Sequence, residues 1–199
     1  MVCSRATARR IRRSLVIFAL VSVGPGASRA ATTLVTNLEE LIGGSDRVVL
    51  ATVLSTKPAA ATTGTPPAMV TKVRVEETFS GTPVKEYEFR QLGRLGPGKA
   101  VSLYPGLPRF TDGERVVLFL PKPSAQGFSS PVALGQGTFR VQGVSGDGIV
   151  TNESRNRTLF RNLKTTQMTR LTRGFQKPES TLKVSELKVL VQSFSGSVK

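Results

Sequence analysis

Polar and apolar residues alternate along the middle of the chain. From Met69, Thr71, Val73, Val75 and Glu77 fall on one face while Lys72, Arg74 and Glu76 fall on the other. This is the two-residue period of a half-buried strand. Ser80-Gly81-Thr82-Pro83 turns the chain, and Lys85 to Leu92 alternates again, with Tyr87 and Phe89 opposite Glu86, Glu88 and Arg90. The two stretches predict a hairpin. Val48 to Leu54 is mostly apolar, rich in β-branched residues and short for a helix, as expected of a buried strand. Arg115 to Leu120 is the most apolar strand candidate beyond residue 30. Phe139 and Val141, then Ile149 and Val150, predict two short strands joined by Gly143 to Gly148.

Helical signals lie outside this region. Thr36 is placed to cap a short helix through Ile42, with Glu39 and Glu40 in the first turn where the dipole favours them. Gly43-Gly44 ends it. Near the C-terminus, Ser180 or Ser185 could cap a helix whose Leu182, Leu187, Val191 and Phe194, with Leu190, form an apolar stripe. Residues 56–68 read as a loose loop. Residues 93–108, with glycine at 93, 96, 98 and 106 and proline at 97, 105 and 108, read as an ordered loop or a distorted strand pair. The fold class is mainly β.

The first 30 residues differ in kind. Five arginines between Arg5 and Arg13 precede the apolar run Leu15 to Val23, a Gly24-Pro25-Gly26 break and Ser28-Arg29-Ala30. This is the order of a secretory signal peptide cut after Ala30. The run is about half the ~20 residues of a membrane span, so no integral membrane protein is expected. The expected location is secreted or periplasmic. Cys3 would leave with the signal, and the remaining chain has neither cysteine nor histidine. The remaining ~170 residues suffice for one core.

Charge is unevenly spread. Residues 31–150 hold 12 basic and 10 acidic groups, whereas 151–199 hold 10 and 3. Residues 155–177 carry seven cations and no acid: Arg155, Arg157, Arg161, Lys164, Arg170, Arg173 and Lys177. Collectively these are the candidate contacts for an anionic surface. Aromatic residues are too sparse there for a nucleic-acid reader.

Without histidine and cysteine, the exported chain cannot build a Ser-His-Asp triad, a thiol nucleophile, a histidine-ligated zinc site or a thiolate cluster. A carboxylate pair, a Ser-Lys dyad or an oxygen-only metal site remains. Asp112, Glu114, Asp147 and Glu153 are the carboxylates available, all in turns. Glu76, Glu77, Glu86 and Glu88 sit among Lys72, Arg74, Lys85 and Arg90, the pattern of a solvated cross-strand face. No catalytic residue, cofactor or metal ligand is assigned. Asn152-Glu153-Ser154 and Asn156-Arg157-Thr158 are glycosylation sequons, meaningful only in a eukaryotic secretory route.

A family pattern emerges from Ser45-Asp46-Arg47-Val48-Val49, the alternating Val73-Arg74-Val75-Glu76-Glu77, Phe79 with Gly81, and Gly113-Glu114-Arg115-Val116-Val117-Leu118-Phe119. Across roughly residues 34–142 it resembles the netrin-like module of tissue inhibitors of metalloproteinases, and more closely the cysteine-free exported bacterial proteins sharing that pattern. The resemblance implies a small OB-like antiparallel barrel of five strands, with a short N-terminal helix and a C-terminal helix. The implied organisation is a signal at 1–30, a netrin/OB-like barrel at 31–154, and a basic segment with C-terminal helix at 155–199. The inhibitors chelate zinc through an N-terminal cysteine. Here Ala31-Thr32-Thr33 would stand first, so no functional residue carries over. The expected function is a non-enzymatic exported binding module that meets a protein or glycan partner through loops 56–68 and 93–110. The alternatives are a carboxylate or Ser-Lys hydrolase, and anionic-surface binding through 155–177.

Overall fold

The computed structural model describes residues 35–143, 146–173 and 182–195. Residues 1–30, where a signal peptide is expected, with Cys3 among them, and Lys177 and Ser180 lie outside the described residues.

Helix α1 (Leu38–Gly43) is capped by Asn37, not Thr36. The Asn37 side chain accepts from Glu40 N at 3.0 Å, and Asn37 N donates back to the Glu40 carboxylate at 3.2 Å, a capping box. Thr36 is held instead by distant segments. Its N–H donates to Gln136 Oε1, and its carbonyl accepts from Thr158 Oγ1. Gly44 ends the helix, as expected.

Seven strands follow: β1 (Arg47–Ala59), β2 (Ala68–Ser80), β3 (Glu86–Leu95), β4 (Val101–Leu103), β5 (Arg115–Leu120), β6 (Thr138–Gln142) and β7 (Ile149–Thr151). They form one antiparallel sheet in the order β4-β3-β2-β1-β5-β6-β7. The β2–β3 hairpin and the short β6 and β7 lie where the alternation puts them. The loose loop expected over 56–68 shortens to 60–67, since pairing runs from Thr56 with Thr71 to Ala59 with Ala68. Pro58 is tolerated because β5 flanks only Arg47 to Thr52, so Pro58 sits on a stretch of β1 that β5 has left. Residues 93–108 resolve into the strand-pair alternative, β3 with β4.

The expected closed barrel is an open sheet. Its terminal strands β4 and β7 are three residues each, and among the described residues no ladder joins them. The outer edge of β7 is already taken. Val150 N donates to Leu182 O at 2.8 Å and Val184 N to Gly148 O at 2.9 Å, so the chain entering the last helix covers that edge.

A single core was expected, and the sheet instead buries both faces. Alternate residues of β5 divide between them: Val117 and Phe119 join Leu38, Phe79 and Phe139 under the helices, while Val116, Leu118 and Leu120 join Val49, Val73 and Phe89 on the other face. That explains the unbroken apolar run of β5, the signature of a strand covered on both sides.

Residues 155–173 of the basic segment are folded onto the body. Leu159 is completely buried in the helix-side core, with Phe160, Leu163 and Leu171 packed around it. Helix α2 (Thr166–Arg173) is fastened at its start by buried Glu39, whose carboxylate accepts from Lys164 N at 2.6 Å, Thr165 N at 2.7 Å and the Thr165 hydroxyl. Helix α3 (Val184–Ser195) buries Val184, Leu187, Leu190 and Val191, close to the expected stripe. Ser185 does not cap it; Asp147, reaching from the β6–β7 hairpin, accepts from Ser185 N at 2.8 Å and Ser185 Oγ at 2.7 Å. Among the described residues no helix is long and apolar enough to cross a membrane.

Candidate functional site

Strand β6 has two audiences. Phe139 and Val141 turn to the helix-side core, so Thr138, Arg140 and Gln142 face the other way. There they line a groove of about 510 Å³ with Thr151 of β7, the 106–109 segment and the turn carrying Asn152, Glu153 and Arg155.

The 106–109 wall is pinned at both ends. Leu107 N donates to Tyr104 O at 3.2 Å, closing a turn in which Gly106 takes a positive φ of 88°. Beyond it, Gln91 Nε2 donates to Pro108 O at 3.2 Å, and the buried Phe110 ring meets Phe89 edge-on at 5.4 Å. Arg109 is thereby held exposed at the groove.

The opposite wall rests on two buried asparagines. Asn152 N donates to Asn156 Oδ1 at 3.0 Å and Asn156 N to Asn152 Oδ1 at 2.8 Å, while their amides donate to Gln136 O and Val150 O. Every strong group of both side chains is engaged, which holds Arg155 and Asn156 in the left-handed region at φ 56° and 61°. Arg155 is exposed and lines the groove. Glu153 lies over Gly135, where a Cβ would collide with its side chain.

Three guanidinium groups and one carboxylate therefore share the groove. Arg140 is partly spent: it pairs with Glu114 and donates from Nη2 to Arg109 O at 2.9 Å. Arg109 and Arg155 have no carboxylate partner among the described residues.

Asp112, Glu114 and Asp147 lie in three separate places. Asp112 lines a second groove of about 570 Å³ with Met69, Leu103 and Phe110. Glu114 lines a third of about 660 Å³ with Glu76, where each carboxylate is met by an arginine: Arg140 on Glu114, and Arg115 Nε on Glu76 at 2.7 Å. Asp147 caps α3, and the Ser185 side-chain and backbone hydrogen bonds hold its carboxyl below the usual aspartate range. Glu86 is likewise lowered by the hydrogen bond and charge of Lys72. Among the described residues no three metal-ligating side chains gather in one place.

Of the seven cations singled out from the sequence, Arg155 lines the groove. Arg157, Arg161, Lys164, Arg170 and Arg173 are exposed elsewhere on the segment, and Lys177 lies outside the described residues. Arg109 and Arg140 escaped sequence reasoning. The signal for Arg140 was its alternation with Phe139 and Val141. Arg109 had only a Gly/Pro-rich neighbourhood. Compared with known protein families, with curated proteins and with solved structures, this chain finds no match.

Proposed function

We propose that this chain is an exported, non-enzymatic binding module that holds its ligand in the groove between the 104–110 segment and the β6–β7 face. The observation that carries this reading is the groove lining, which holds arginines from three separate segments and a single carboxylate. Such a lining holds a ligand by charge and hydrogen bonds. A glycosidase in this groove would need a second carboxylate about 5 to 9.5 Å from the first, and among the described residues Glu153 is the one carboxylate in its lining. The reading keeps one of the loops expected from the sequence, 93–110, and replaces 56–68 with the 151–155 turn. The netrin-like, OB-type resemblance belongs to it as well, because OB-type sheets bind through loops and one sheet face. Secretion or periplasmic residence rests on the N-terminal pattern.

The test pairs a ligand array with a panel of chromogenic glycosidase and esterase substrates, using wild type and Arg155→Gln. Binding lost in the variant, with no turnover by either, supports a binding module. Turnover abolished by Glu153→Gln would replace it with an enzyme. A second reading draws on the five exposed cations of 157–173, which favour contact with an anionic surface.

A further inference from the structure

We propose that the groove takes an acidic saccharide, with a uronate-type carboxylate between Arg109 and Arg155. This rests on the groove being the ligand site, and adds the class of ligand.

The charge comes first. Arg109 comes to the groove from the 106–109 segment, Arg140 from β6 and Arg155 from the turn after β7. Guanidinium forks match a planar carboxylate in a way a lysine cannot. The lone Glu153 leaves the lining net cationic, so an anionic ligand is attracted and a cationic one is not.

The rest of the lining narrows the class. Gln142 and Thr151 add amide and hydroxyl groups to the same lining, which suits a ligand bearing hydroxyls beside its charge. Tyr104, 45% exposed, stands outside the lining itself and opens the turn that supplies Gly106 and Leu107 to the wall. An exposed tyrosine offers an apolar face with a polar tip, fitting one face of a sugar ring. Nucleic acid would ask for successive aromatic platforms, and Tyr104 is the one aromatic side chain in that turn. The groove volume of about 510 Å³ falls within the range of about 300–1,000 Å³ typical of small-ligand sites.

The walls are pre-formed. The Asn152–Asn156 exchange fixes the backbone at Arg155, and the Gln91–Pro108 bond with the Phe89–Phe110 contact fixes the backbone beside Arg109. The ligand is left to order the two side chains and not the segments that carry them.

The experiment is calorimetric titration of the chain with tetragalacturonate, its methyl ester and inorganic phosphate, at low and physiological salt. The tetramer is expected to bind and the ester at least about tenfold more weakly, as loss of charge-assisted hydrogen bonds requires. Arg109→Gln and Arg155→Gln should each cost a similar factor, while the double variant Lys57→Gln/Lys122→Gln, at exposed cations outside the groove lining, should change nothing. Unaltered thermal melting of the variants shows them folded. Equal binding of the ester, equal loss in the Lys57/Lys122 variant, or phosphate binding as tightly as the tetramer overturns the assignment. If the tetramer fails but an acidic peptide or neutral saccharide binds and is lost in the groove variants, the saccharide class falls and the groove stands. Binding that persists in both groove variants removes both.

Discussion

The guanidinium of Arg47 lies 4.7 Å from the centre of the Tyr87 ring, although β2 separates their two strands. Only a sheet that coils back over one face brings the start of β1 to the start of β3. Register shifts between Val48 and Val49, Leu50 and Ala51, and Val53 and Ser55 supply that bending. The contact has a cost, because Arg47 Nε and Nη1 are buried without hydrogen-bond partners. A desolvated cation–π contact is worth about 2 kcal/mol, whereas each unsatisfied buried donor costs about 1–3 kcal/mol. Arg47→Met is therefore expected to leave stability unchanged or raise it by about 1 kcal/mol in urea titration. A loss of several kcal/mol would make the cation a net stabiliser.

The asparagine pair sets up a contrast between neighbours. Asn156→Ala removes the acceptor of Asn152 N and the donor to Val150 O, both in a buried setting. It should cost about 2–4 kcal/mol in the same titration. Arg155→Gly relieves a non-glycine residue at φ 56° and should stay within about 1 kcal/mol of wild type, since removed strain offsets added unfolded-state freedom. Similar losses in the two variants would mean that Arg155 anchors the turn directly.

Glu39 ties α1 to the start of α2 through Lys164 N and Thr165 N. Glu39→Ala is expected to release amide protection in 164–173 by hydrogen exchange while leaving β5 protected, because local units open below the global free energy. Uniform loss of protection would instead place Glu39 in the global core.

Asp147 gives the acid limb a sign. Its folded pKa is lowered by the Ser185 hydrogen bonds, so its contribution is present above the ordinary unfolded aspartate value and is lost as pH falls through the lower folded one. Asp147→Asn should flatten the stability profile in that acid window and leave the neutral-to-alkaline profile parallel to wild type. A variant whose acid limb keeps the wild-type slope would show that the cap does not titrate with folding.

If the exposed arginines of α2 and the preceding turns meet an anionic surface, the chain should sediment with phosphatidylserine vesicles at low salt and be released near physiological salt. Each engaged cation contributes about 1 kcal/mol and is screened over ~8 Å. Substituting Arg157, Arg161, Arg170 and Arg173 by Gln should abolish sedimentation. Absence of wild-type binding at low salt would end that reading.

Local pattern made the strands legible and left their long-range uses hidden. The alternation of Lys72 to Glu77, the apolar block Val116 to Leu120 and the stripe of α3 all report directly which face is covered. What they could not report is that β5 divides two cores, that Asp147 would cap α3 in place of Ser185, or that Glu39 would serve α2 rather than the helix it belongs to. Those acceptors lie 38 and 125 residues from their donors, beyond any period in the chain. The groove was half legible for the same reason. Arg155 stood out by composition, while Arg109 and Arg140 gained meaning only when the sheet brought 106–109 against β6.

The asparagine exchange also decides an order of events during synthesis. Oligosaccharide transfer to Asn152 or Asn156 requires a free side-chain amide, and in the folded chain both amides are buried as donors to Gln136 O and Val150 O. A sugar attached first would keep the turn from closing; a turn closed first would keep the sugar off. Fold and glycan are mutually exclusive here, so a host that modifies nascent chains at these sites would yield glycosylated, misassembled protein and unmodified, folded protein as two separate populations.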